Sequence, residues 1–179
     1  MGECIMALTK VLTGGLALDA VDNTILKLDD DYALTGVLDG HTKPAFQAKL
    51  GSDASLSNDT VTKIAIDTED FDTDGKFASN RFTPTVAGKY YCHGGVGTYP
   101  GTGNLTRLII YIYKNGAEAK RSEIFFNTGG TAGTSFAGYV GGIIELDSDD
   151  YIELYARLRT ANGSSVTVGA GGYTQLGAF

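Results

Sequence analysis

The segment Leu105 to Lys114 alternates well and ends on Asn115-Gly116. Leu108, Ile110 and Ile112 fall on one face, and Ile109, Tyr111 and Tyr113 on the other. That period of two belongs to a strand and not to a helix. Asn-Gly supplies two successive residues that tolerate positive φ, the strongest short signal for a two-residue hairpin. Glu118 to Asn127 is then the returning strand. A chain built around such a ribbon must pair it further, because a lone hairpin is marginal in water.

Similar segments recur on both sides. Ala45 to Leu50, Val61 to Ile66, Phe77 to Phe82 and Lys89 to Val96 read as strands before it. Phe136 to Leu146, Tyr151 to Arg159 and Tyr173 to Phe179 read as strands after it. In the second of these later strands Ile152, Leu154, Ala156 and Leu158 share one face, and Glu153 and Arg157 the other. Glycine is 25 of 179 residues and proline only 3, which suits tight turns and excludes collagen. Roughly nine strands at this spacing predict an all-β sandwich, for which a jelly roll is the economical closure.

The formal charge is −7, and no Lys/Arg cluster interrupts it. A basic face for phosphate backbones is therefore not expected, so nucleic acid is not a predicted partner. No apolar run approaches the roughly 18 residues of a membrane span, and no membrane insertion is expected. Of the two cysteines, Cys4 lies in the front segment and Cys92 in mid-strand, where a buried reduced thiol is the better reading. No secretory signal is evident. The chain is expected to assemble in a cytoplasm, where the sequons at Asn58, Asn104 and Asn162 would stay unmodified.

Two parts are visible. Residues 1–43 hold seven Asp/Glu against three Lys and few aromatics. Leu16 to Leu28 there fits neither a helical nor a strand period. Such a segment is either disordered or ordered by a neighbour; it is read as an extended anchor, and residues 44–179 as the jelly-roll domain. The turn-rich stretch Leu38 to Pro44 joins them.

The run Phe82-Thr-Pro-Thr-Val-Ala-Gly88-Lys-Tyr90-Tyr91-Cys92 reads as a strand, a corner and a second strand. Pro84 presets φ, and Gly88 is expected to turn where a Cβ would clash. This spacing of Phe82, Gly88 and Tyr90 resembles the signature of the complement-one-q globular head, a trimeric jelly roll related to the tumour necrosis factor fold. Pro44 to Leu50, Tyr113 to Gly116, Phe136 to Leu154 and Leu176 to Phe179 resemble its other strands. Cys92 departs from it, standing where an aromatic is usual. The wording of the strands looks closest to versions at the ends of bacteriophage fibres and virion appendages, and Met6 to Lys10 and Asp22 to Ile25 look like the front of such proteins.

The resemblance implies assembly and binding without catalysis. Alternation puts Tyr90 and Cys92 inside the sandwich and Tyr91 and His93 on the opposite face, which in that family lies near the three-fold axis. Tyr91 and His93 are therefore the predicted trimer interface. The loops holding Tyr99, Pro100, Asn127 and Thr131 are the candidate ligand loops.

Asp70-Phe-Asp72-Thr-Asp74-Gly75 fits the first half of a calcium loop, but its twelfth position is Arg81 where a bidentate Glu is needed. An acidic solvated turn is the better reading, with Asp70, Asp72 and Asp74 kept as the one cation candidate, and no cofactor expected. Asp29 to Asp31 and Asp147 to Asp150 read as turns, the latter capping the entry into Tyr151. His41 and His93 are the only histidines, and no zinc motif or nucleophile elbow occurs. The reading favoured is a structural virion protein of a bacteriophage, a fibre, appendage or capsid decoration. It is a homotrimer attached through residues 1–43 to other virion proteins, with a host surface glycan or protein as a further contact. The rival is a free-standing lectin-like binding module.

Overall fold

The structure is a computed structural model and describes residues 44–98, 105–126 and 136–179. The anchor assigned to residues 1–43, with Cys4, His41 and Asp29 to Asp31, lies outside them. So do Tyr99, Pro100, Asn127, Thr131 and Asn104.

Among the described residues all regular structure is strand: β1 Phe46–Leu50, β2 Ala54–Leu56, β3 Thr62–Lys63, β4 Thr68–Asp72, β5 Phe77–Ala78, β6 Arg81–Phe82, β7 Gly88–Thr98, β8 Leu105–Lys114, β9 Ala117–Phe125, β10 Phe136–Leu146, β11 Ile152–Thr160, β12 Val166–Val168 and β13 Gly171–Ala178. Two antiparallel sheets result. The first runs β4-β1-β13-β7-β10, with β12 and β2 continuing from the Thr98 end of β7. The second runs β5-β6-β11-β8-β9, with β3 also on β11. Most neighbours are far apart in sequence, since the chain crosses between the sheets instead of meandering within one. This is the jelly-roll sandwich that the alternation predicts.

The core lies between the inner faces. Phe46 and Phe82 stack at 4.2 Å, and Tyr90 meets Phe82 edge-on at 6.5 Å. Leu108, Ile110 and Ile112 of β8 face Leu154, Ala156 and Leu158 of β11 within the same buried cluster. Each such leucine or isoleucine contributes roughly 1.5–3 kcal/mol by leaving water. Tyr90 also keeps its hydroxyl satisfied, donating to the Val86 carbonyl at 2.5 Å. That bond closes the Pro84 corner.

Four local readings need correction. Gly88 is not forced: a Cβ there would meet only the Tyr90 ring, at an ordinary 3.7 Å. The tyrosine, not the glycine, fixes the corner. Phe77 to Phe82 is a hairpin instead of one strand, because Ser79 and Asn80 both take positive φ (54° and 57°) and Asn80 Nδ2 donates to the Ile66 carbonyl at 2.5 Å. Of Val61 to Ile66 only Thr62 and Lys63 are strand, as β3, although the Ile64 N–H donates to the Leu154 carbonyl at 2.9 Å and Ile64 and Ile66 are buried. Part of the acidic stretch from Asp70 is strand β4 and not turn.

The Asn115-Gly116 turn forms as expected, with φ of 51° and 78°. It also locks the turn from Asp147 to Asp150. Asn115 Nδ2 donates to Asp150 at 2.5 Å, Asn115 Oδ1 accepts from the Tyr151 N–H at 2.9 Å, and Lys114 pairs with Asp150 at 2.6 Å. Asp150 further accepts from the Asp147 N–H at 2.7 Å. These bonds hold its carboxyl at about 2, the Asp147 bond having the largest effect.

Candidate interaction surface

The two sheets present different outer faces. On β7 the alternation places Tyr90 and Cys92 in the core, and leaves Tyr91 exposed with His93 half-buried beside it. Strand β10 contributes Tyr139 and Ile143, the latter directly opposite Tyr91. Strand β13 contributes Tyr173 and leads into Phe179, whose backbone exchanges hydrogen bonds with Tyr91 at 2.9 and 3.3 Å. The Tyr91 and Phe179 rings lie 5.6 Å apart, and His93 lies 6.2 and 6.4 Å from them. Tyr91, Tyr139, Ile143, Tyr173 and Phe179 are 45%, 61%, 63%, 57% and 64% exposed. Five large apolar side chains this open on one sheet face form a contiguous patch of the kind that marks an interaction site.

Glycines set the relief of this face. A Cβ on Gly95 would come within 2.6 Å of the Tyr139 ring, and one on Gly141 within 2.7 Å of the Tyr91 hydroxyl. On Gly177 it would meet His93 at 2.5 Å, and on Gly97 the Tyr173 Cβ at 2.8 Å. The Tyr139, Tyr91 and His93 rings therefore lie across glycines of the adjacent strand instead of standing up from the sheet, whereas at Gly97 it is the Tyr173 Cβ and backbone that come close. The pairs alternate over β13, β7 and β10, so the face is aromatic, smooth and close to its backbone. Aromatic side chains covering cross-strand glycines also protect otherwise bare backbone. The glycine-rich run Gly94 to Gly97 was the available sequence signal, but only the strand register shows which ring covers which glycine.

Charge is confined to the edges of this face: Lys89 is directly opposite Glu145, and Lys49 pairs with Asp70. Burial alone pushes the His93 imidazole below its ordinary value. Cys92 is a free buried thiol, pushed up to about 12 by desolvation.

The three aspartates of the cation candidate have separate partners. Asp70 pairs with Lys49. Asp72 accepts from the N–H groups of Asp74, Lys76 and Phe77 at 3.1, 2.5 and 2.6 Å. Asp74 accepts from the Thr85 hydroxyl. Among the described residues no three His, Cys, Asp or Glu side chains are grouped to hold a metal ion.

The outer face of the second sheet mixes charge with aromatic rings: Tyr113 stacks on Tyr155 at 4.2 Å, and Arg107 lies over the exposed Phe125 ring at 5.4 Å. Glu153, although buried, accepts from Lys63 at 2.6 Å and from the Tyr155 hydroxyl at 3.3 Å. Arg81 lies over the Tyr151 ring at 4.2 Å.

No family model matches the chain, and no curated protein matches it. Among solved structures it is similar to the globular domain of zebrafish complement 1qA protein, with a TM-score of 0.50 and 15% identity over 76% of this chain and 96% of that one. At that identity the likeness is one of fold.

Proposed function

We propose that the chain is a non-enzymatic structural protein of a bacteriophage particle: a fibre, appendage or capsid decoration. It forms a homotrimer through the outer face of the first sheet. The observation that carries the assembly is the exposed apolar lattice of Tyr91, Tyr139, Ile143, Tyr173 and Phe179, with both charge signs held to its edges. Burial of such a face against further copies removes apolar surface that a monomer would leave in water. Tyr91 and His93 stand in this interface, and residues 1–43 attach the trimer to other virion components. The virion assignment rests on the resemblance of the strands and of Met6 to Lys10 to phage appendage proteins.

Two measurements separate the parts of this reading. Light scattering of the purified protein is expected to give a trimer of the 18.8 kDa chain, and a stable monomer at micromolar concentration would overturn it. A mass-spectrometric inventory of purified particles is expected to contain the chain, and to lose it when residues 1–40 are deleted. Its absence from particles would overturn the virion assignment and leave the trimer standing.

A further inference from the structure

The total of −7 conceals a division of charge. The chain's five arginines are Arg81, Arg107, Arg121, Arg157 and Arg159, and all five are on the second sheet. Alternation turns them outward, since Phe82, Leu108 and Leu158 beside them are buried. Lys63 joins them opposite Tyr155. The acids paired with this face are Asp59, Glu118, Glu123 and Glu153, fewer than the cations.

Three of the arginines meet at one end. Arg159 stands directly opposite Arg107 across β11 and β8, and Arg157 lies two residues along on the same face, opposite Ile109. Like charges directly opposite each other weaken a sheet. Two carboxylates offset part of this: Arg157 Nε donates to Asp59 at 2.8 Å and Arg107 Nε to Glu123 at 2.6 Å. The hydrogen bond from Arg157 holds Asp59 below the usual carboxylate range, and the charges of Arg157, Arg159 and Arg107 all act in the same direction. All three guanidinium groups thus bear on one point. Arg159 is exposed and makes no ion pair among the described residues; it acts on Asp59 only through its charge, so its N–H donors are not taken up by a carboxylate there.

We infer that Arg107, Arg157 and Arg159 form a binding corner for the acidic groups of an anionic polysaccharide. A planar guanidinium matches a carboxylate or sulfate with two parallel N–H donors, which a lysine does not. A nucleic acid fits less well. Its phosphates follow one another closely and need a continuous track of cations, whereas Glu118, Glu123 and Glu153 interrupt this face. A polymer whose charges are separated by neutral sugar rings can set one acidic group on the exposed Arg159 while neutral rings pass Glu123, which Arg107 already neutralises. The inference does not depend on the trimer or on the virion assignment.

The test is retention of the full chain on immobilised polygalacturonate and dextran sulfate, with neutral dextran and duplex DNA alongside. The native chain is expected to bind the two acidic polysaccharides and not neutral dextran. Arg159→Gln should weaken that binding about tenfold, the effect of one lost charge-assisted hydrogen bond. Its melting temperature should not fall, because the substitution relieves the Arg107 repulsion. Lys89→Gln, on the other sheet, should bind as the native chain does. Failure of the native chain to bind either acidic polysaccharide overturns the inference. So does equal binding by Arg159→Gln, or tighter binding to DNA than to both polysaccharides.

Discussion

The Tyr91 hydroxyl lies across Gly141, so that a Cβ on Gly141 would sit 2.7 Å from its oxygen. The atom met is the far end of a ring on an exposed face, and the ring can swing outward. Gly97 differs, because its Cβ would meet the Cβ of Tyr173 at 2.8 Å and the Tyr173 carbonyl oxygen at 3.2 Å, neither of which can swing. Gly141→Ala should keep the native melting temperature but roughen the face and weaken assembly in light scattering. Gly97→Ala should cost about 1–3 kcal/mol in stability through overpacking. A lower melting temperature for Gly141→Ala than for Gly97→Ala would contradict this account.

His93 gives the first sheet a response to acid. Its folded value lies below the ordinary one, so the folded chain favours neutral imidazole while the unfolded chain protonates near 6.5. Stability is full above that unfolded value and declines as pH falls below it. Lys89 and Glu145 at one edge, and Lys49 with Asp70 at another, are the charged groups on the same face. Thermal unfolding of the native chain and of His93→Gln, followed from neutral to mildly acidic pH, should show a steeper loss in the native chain. Parallel curves would remove His93 as the cause.

Asp150 acts at lower pH. Its folded value is about 2 against an ordinary 3.8, and the residue is 8% exposed. The carboxylate therefore contributes stability above its unfolded value, on the order of 2 kcal/mol. That contribution is lost as pH falls from about 4 to about 2. Asp150→Asn should melt lower than the native chain at neutral pH and converge with it in strong acid. A constant gap at all pH values would mean that shape, not charge, holds the turn.

Asp72 tests the cation reading. Its carboxylate serves three backbone N–H groups without any ion, so Asp72→Ala should cost about 1–3 kcal/mol by leaving donors unmatched. A chelator should leave the melting temperature of the native chain unchanged. A drop with chelator that disappears in Asp72→Ala would instead establish a bound cation.

What could be read in advance was what depends on the order of neighbours along one strand. Tyr90 and Tyr91 part to opposite faces because the backbone pleats, and Asn115-Gly116 turns because both residues accept positive φ. Ser79-Asn80 makes the same kind of turn but lacks the glycine that announces it. Strands β2 and β12 are three residues each, too short for a period to show. The lattice of rings over glycines depends on which strands become neighbours, and β7 finds β10 and β13 far away in sequence. The arginine corner was concealed for a related reason: net charge is a sum, and only the pairing of β8 with β11 brings Arg107 opposite Arg159.

Cys92 supplies a clock. Its sulfur is fully enclosed, and with a thiol held at about 12 almost none of it is nucleophilic at neutral pH even if a reagent arrives. In a Cys4→Ser background, alkylation of this one sulfur under native conditions counts the moments at which the two sheets part. Its rate, measured against denatured chain, reads out the opening equilibrium of the sandwich with no probe added to the molecule.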